Sequence, residues 1–325
     1  MPATLPMASA AFSGSTSNGG NSLTTAQVDP PSGLAVSQTC AGGSTITFRA
    51  ATSAIGTDSL VLTTPAGTQA GDVLVAQVVN RYSPNSLVPP SGWTLVRRDT
   101  SRLTVSSAVF WRLATSAEPA NATFTVSGSP GVQMAGGITA YSGVHTSDPV
   151  HTSGAITDNS PTVTALSVTT TVANTRLVFA LAKRQEVVPA PSGTTSRWAL
   201  MSGTGTANAG ATVADQPFAG PGSTGARNTT ASMSTQWVAQ TVALRPIPGD
   251  PSAALTWTAS PSSWATGYTL QRVVGGSVQS TVTPIATMST TDGPLVNGTT
   301  YTFRLSAYRG SWTSPAGTVA LTPSC

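Results

Sequence analysis

The chain has 325 residues, of which 8% are charged and 39% hydrophobic, and it carries a formal charge of +4. That apolar share excludes a disordered polymer, and the length exceeds one ordinary domain. The arginines are scattered and Lys183 is the only lysine, so the basic stripe that nucleic-acid binding needs is missing and no nucleic-acid partner is expected.

In chain order, residues 1–10 (MPATLPMASA) end in the small-x-small pattern Ala8-Ser9-Ala10. This predicts the remnant of a signal peptide whose start lies upstream, and hence a secreted, cell-surface protein. The alternative is an Ala-rich disordered terminus. No run of about 18 apolar residues occurs, so no membrane span is expected. Residues 11–29 are polar and extended, with too few apolar side chains to fold alone. Adding this segment as a strand to a neighbour's sheet edge would satisfy its backbone, with Phe12, Leu23 and Val28 as the donated side chains. Ala11 to Val28 resembles the mature start of SipW-processed proteins, the class of the TasA and camelysin matrix fibres, with Leu23 where an aromatic is common. That resemblance implies a fibre subunit whose partner is a second copy of itself.

Residues 30–40 (PPSGLAVSQTC) form one strand with nothing adjacent to pair with. Residues 41–248 contain many short apolar runs, among them TITFRA, DVLVAQVVN, AVFWRLA, RLVFALAK and QWVAQTVAL, each bounded by Gly, Pro, Asn or Ser. A large all-β sandwich is expected, of jelly-roll type, with TITFRA pairing WVAQTVAL where the segment enters and leaves. Phrases such as TPAGTQAGDVLVAQV and PPSGWTLVRRD resemble a module of bacterial surface and phage-tail proteins, which implies no agreed activity.

In residues 249–325, alternation places Leu255 and Trp257 on one strand face, Tyr268, Leu270 and Arg272 on another, and Tyr301, Phe303, Leu305 and Ala307 on a third. GYTLQR and LVNGTTY make the region resemble a fibronectin type III domain, whose tyrosine corner falls on Leu295 and Tyr301. It lacks a first strand, and residues 30–40 have the form of one. The expected architecture is therefore a type III sandwich with residues 41–248 inserted between its first and second strands. In that fold the first and last strands run to one end, which implies a disulfide between the only cysteines, Cys40 and Cys325. Free thiols or an intermolecular bridge are the alternatives.

Chemistry is sparsely represented. Glu118 and Glu186 are the only glutamates, and the aspartates sit mainly in turn contexts, so a paired-carboxylate site is not expected. His145, Asp148 and His151 match no zinc spacing. A calcium ion on Asp148 or Asp215 has no Asp-rich repeat behind it, and an isopeptide staple would have only Lys183 to use. No cofactor and no catalytic residue is assigned. Trp111 and Trp237 read as core, which leaves Trp93 and Trp198 as the exposed aromatic pair able to stack on a sugar. The expected function is an extracellular structural or adhesive protein, not an enzyme. The alternative is a carbohydrate-binding module using Trp93 and Trp198.

Overall fold

The computed structural model describes residues 27–81, 86–128, 130–204 and 207–325. They contain no helix, and the protein is all-β, with several sheets packed in sandwich fashion. Two compact units are present, one of Met1–Val36, Leu255–Thr290 and Tyr301–Ala320, the other of Ser37–Ala254, Thr291–Thr300 and Leu321–Cys325.

After β1 (Ser32–Ala41), the strands of the larger unit come in two runs. The first is β2 (Thr47–Thr57), β3 (Ser59–Thr63), β4 (Val73–Arg81), β5 (Ser86–Val88), β6 (Thr94–Ser101), β7 (Val105–Leu113), β8 (Asn121–Ser127) and β9 (Gln133–Ser142). The second is β10 (Val150–Ala165), β11 (Thr169–Thr170), β12 (Thr175–Arg184), β13 (Thr195–Met201), β14 (Ala209–Phe218), β15 (Gly222–Ser223) and β16 (Arg227–Leu244). Each run builds its own main antiparallel sheet, in the orders β5-β8-β3-β2-β9-β4-β7-β6 and β10-β16-β12-β14-β13, and β11 and β15 pair separately as a two-stranded sheet.

The two sheets are copies of one pattern. β10 and β16 are long strands whose pairing shifts between Ser160 and Thr162; on one side of the shift they match β2 and β9, and on the other β3 and β8. With β12, β14 and β13 standing for β4, β7 and β6, both sheets follow the same order. Their bulges coincide as well. Arg49 in β2 and His151 in β10 are the extra residues of one pair of bulges, Val96 in β6 and Arg197 in β13 those of another. A bulge needs a specific unpaired residue at a specific step, so two coincidences in register mark a tandem structural repeat.

This corrects the expected pairing of TITFRA with WVAQTVAL. The first lies at β2 and pairs with β9, the second in β16 and pairs with β10 and β12, so each sheet is drawn from one contiguous half of the segment. The reason is local: each run can satisfy its backbone with its own neighbours, and only the sheet faces need the other run.

Three buried layers follow. Val73, Val75 and Val79 meet Val178, Ala180, Val238 and Val242 between the two sheets. Leu60, Leu62, Phe110, Phe124 and Ile138 fill the outer face of the first sheet, and Val163, Leu177, Phe179, Leu181 and Trp237 that of the second. A polar chain crosses the central layer. Gln77 Nε2 donates to Ser107 Oγ (3.0 Å) and the Leu181 carbonyl (3.1 Å), Ser107 Oγ donates to Gln240 Oε1 (2.8 Å), and Gln240 Nε2 donates to Asp99 Oδ2 (2.7 Å). Each such bond adds about 1 kcal/mol net, and its directionality fixes how the two apolar faces meet.

The remaining strands are β17 (Asp250–Thr258), β18 (Gly267–Val274), β19 (Ser277–Ile285), β20 (Ser289–Asp292), β21 (Tyr301–Arg309), β22 (Trp312–Thr313) and β23 (Gly317–Leu321). One sheet has the order β1-β17-β20, another β19-β18-β21-β22, with β23 also paired to β21. In the smaller unit the Trp257 and Tyr268 rings meet edge to face at 5.4 Å, over Leu255, Leu270, Phe303, Leu305 and Ala307, all buried. Gly275 and Gly276, both at positive φ, close the β18–β19 hairpin as a two-residue turn. Arg272 keeps the expected alternation: the β18–β21 register is unbroken, Tyr268, Leu270 and Arg272 face Ala307, Leu305 and Phe303, and the Arg272 guanidinium lies 5.9 Å from the Tyr301 ring centre, while Val273 after it is buried as well.

Candidate functional site

Cys40 and Cys325 form a disulfide with a Cα separation of 5.7 Å. Of the side chains expected to be donated, Phe12 and Leu23 lie outside the described residues. Val28 is 1% exposed, which corrects its assignment to a free strand. Its neighbours hold it in place: the Asp29 amide donates to Ser262 Oγ (3.0 Å), Ser262 Oγ reaches Asp29 Oδ2 (2.9 Å), and Ser260 Oγ donates to the Asp29 carbonyl (2.6 Å).

Trp93 and Trp198 are likewise not a surface pair, since each is only 8% exposed. Trp93 packs edge to face on Phe124, 5.6 Å between ring centres, in the outer core of the first repeat. Trp198 lies over Gly137 of the opposite sheet, where a β-carbon would come within 2.5 Å of the indole. The bulge at Arg197 allows both inward turns: Trp198 enters the central core while Arg197 binds Asp215 with Nε and Nη2, both at 2.8 Å.

The carboxylates serve the fold. Asp215 is fully buried; besides Arg197 it binds Arg176 Nη2 (2.7 Å) and accepts the Tyr141 hydroxyl (2.8 Å). Burial alone would raise its pKa, but Arg197, Arg176 and Tyr141 outweigh this and hold it below the usual carboxylate value. Two guanidinium groups thus occupy the oxygens that a calcium ion would need. Glu118 pairs with Arg112 (3.1 Å) and accepts the Thr115 amide, and Glu186 accepts the Ser232 hydroxyl (2.7 Å) and the Met233 amide (3.0 Å). His145, Asp148 and His151 do not converge on a cation. The Arg245 guanidinium stands between Asp148 (3.1 Å) and His151 (3.3 Å), and His145 Nδ1 accepts the Asp148 amide (3.1 Å). Among the described residues no three His, Cys, Asp or Glu side chains are grouped to hold a metal. The larger unit has a cavity of about 470 Å³, lined by His145, Thr171, Arg245, Asn297 and Pro323 among others, with no Asp or Glu side chain in its wall.

An exposed tryptophan lies elsewhere, in the smaller unit, beside a half-buried one. Trp312 is 56% exposed and pairs across the β21–β22 hairpin with Arg309. Trp264, in the β17–β18 loop, meets Trp312 at 6.1 Å and 83°. The only sequence signal for this pair was its loop context, which does not reveal that the two loops adjoin. No family model matches the chain, and no curated protein is similar to it in sequence.

Proposed function

We propose that the protein is a secreted structural or adhesive component of a bacterial surface, with no catalytic activity of its own. The proposed architecture is a type III sandwich made of residues 30–40 and 249–325, carrying the repeat-built β-sandwich of residues 41–248 as an insert. The observation that carries the reading is the Cys40–Cys325 bridge, which links positions 285 residues apart. Disulfides persist in oxidising compartments, and a link that closes nearly the whole chain restrains a protein that has no cytosolic quality control. The carboxylates support it from another side, because those just described hold arginines and amides.

The proposed partner is a second copy of the chain. Residues 11–26 donate a strand to a neighbour, and the clasp of Asp29 on Ser260 and Ser262 is the fixed point from which that segment starts. Antibody labelling of intact cells tests the location. Surface labelling with the disulfide formed is the expected result. Protein found only inside the cell with both thiols free would overturn the reading.

A further inference from the structure

We propose that Trp264, Trp312 and Arg309 form a binding site for an acidic polysaccharide, one sugar ring stacking on the exposed indole of Trp312 and its carboxylate meeting the Arg309 guanidinium. The proposal does not depend on strand donation.

The site is built, and its parts are held from both sides. Arg309 and Trp312 are directly opposed across the β21–β22 hairpin, so their side chains share a face. Gly310, at φ +56°, makes the tight turn that sets this register. The loop carrying Trp264 is tied to the same hairpin: the Thr266 amide donates to the Tyr308 carbonyl (2.8 Å), and Arg309 Nη1 donates to the Trp264 carbonyl (3.0 Å). The Arg309 guanidinium carbon also lies 5.8 Å from the Trp264 ring centre. Two indoles at right angles therefore form a rigid corner with a cation at its base, and little side-chain freedom is left to lose on binding.

Packing alone does not account for this corner. An indole that keeps 56% of its surface in water forgoes most of the gain from burial, whereas Trp257 in the same unit, 6% exposed, realises it. The C–H face of a pyranose is apolar and its rim polar, which suits an aromatic plane beside a hydrogen-bond donor. Charge selects the acidic member of that class. The smaller unit carries Arg272, Arg304 and Arg309 against a single carboxylate, Asp29, and Asp29 is engaged by Ser262. Among the described residues, Arg309 has no carboxylate within ion-pair distance.

Affinity electrophoresis of the full chain in gels containing alginate, a uronate polymer, or dextran, a neutral one, tests the assignment. Retardation by alginate and not by dextran is expected. Trp312→Ala should weaken it about tenfold, the scale of one aromatic stacking contact, and Arg309→Gln should weaken it and reduce its sensitivity to salt. Val278→Ala, an exposed change on β19, should leave it intact. Melting curves of Trp312→Ala and Val278→Ala should coincide with that of the parent, because both side chains are exposed. Equal mobility in both gels, retardation by dextran alone, or undiminished binding by a folded Trp312→Ala protein would each overturn the proposal.

Discussion

Arg49 and His151 occupy one position in two copies of the same strand pattern. Arg49 is the extra residue where Phe48 and Ala50 face Tyr141 and Ala140, and His151 is the extra residue where Val150 and Thr152 face Leu244 and Ala243. Their side chains are used differently: Arg49 binds Asp72 at 2.6 Å, while His151 Nε2 accepts the Thr171 amide at 2.9 Å. The larger unit is thus one design used twice and closed face to face, and what the two copies do not share marks where they were fitted to each other.

The Asp215 cluster is one such fitting, since Tyr141 reaches it from the first repeat and Arg176 and Arg197 from the second. Its lowered pKa makes it a stabilising group above the unfolded carboxylate pKa, with that contribution lost as pH falls through the folded value. Urea unfolding should therefore show stability declining below about pH 4. Asp215→Asn should cost about 3–5 kcal/mol at neutral pH, because two partly buried guanidiniums lose their fully buried partner, and should flatten the acid limb.

At Gly137 the two sheets come close enough that an added β-carbon would sit 2.5 Å from both the Thr52 carbonyl oxygen and the Trp198 indole. Gly137→Ala should destabilise the protein by about 1–3 kcal/mol through overpacking. Trp198→Ala should cost about 3–5 kcal/mol by opening a cavity. Both are read from denaturant midpoints, and a neutral Trp198→Ala would place that ring at the surface after all.

Lys183 is fully buried, its Nζ donating to the Ser160 (2.9 Å) and Thr235 (3.0 Å) carbonyls where β10 and β16 bend. Lys183→Met should cost about 1–3 kcal/mol, leaving two carbonyls without that donor. Because it is the only lysine, amine acylation followed by mass spectrometry reads its access directly. Native protein should stay unmodified at Lys183, and the unfolded chain should react.

Reduction of Cys40–Cys325 should lower the melting temperature without unfolding the protein at room temperature. The entropy model gives a ceiling of about 5 kcal/mol for so long a loop. Melting with and without dithiothreitol measures it, and an unchanged curve would mean that the bridge restrains nothing.

The sequence was most legible where alternation is simple. Leu255, Trp257, Tyr268, Leu270, Phe303, Leu305 and Ala307 are all buried as their period-two pattern requires, and the cysteines pair. A bulge defeated the same logic at Arg197, because one inserted residue reverses which side chains face inward. Trp198 was misread for that reason. Trp93 was misread because the turn Pro90-Ser91-Gly92 looks like a surface loop, whereas the ring after it turns back onto Phe124. The repeat left only faint traces: Leu74-Val75 with Arg81 against Leu177-Val178 with Arg184, and Pro90-Ser91-Gly92 against Pro191-Ser192-Gly193. Packing constrains the character of a buried position more than its identity, so a shared fold need not keep shared letters. The Trp264–Trp312 corner depends on two loops 48 positions apart meeting in space, which no local pattern encodes.

The central claim, assembly by donation of residues 11–26, is tested most directly by sedimentation velocity over a range of concentrations, comparing the full chain with one lacking only those residues. The deletion keeps Gln27 to Asp29, so the clasp on Ser260 and Ser262 remains. Species that grow with concentration in the full chain and a folded monomer in the deleted one are the predicted result. A monomer in both, or unchanged assembly in both, would contradict it.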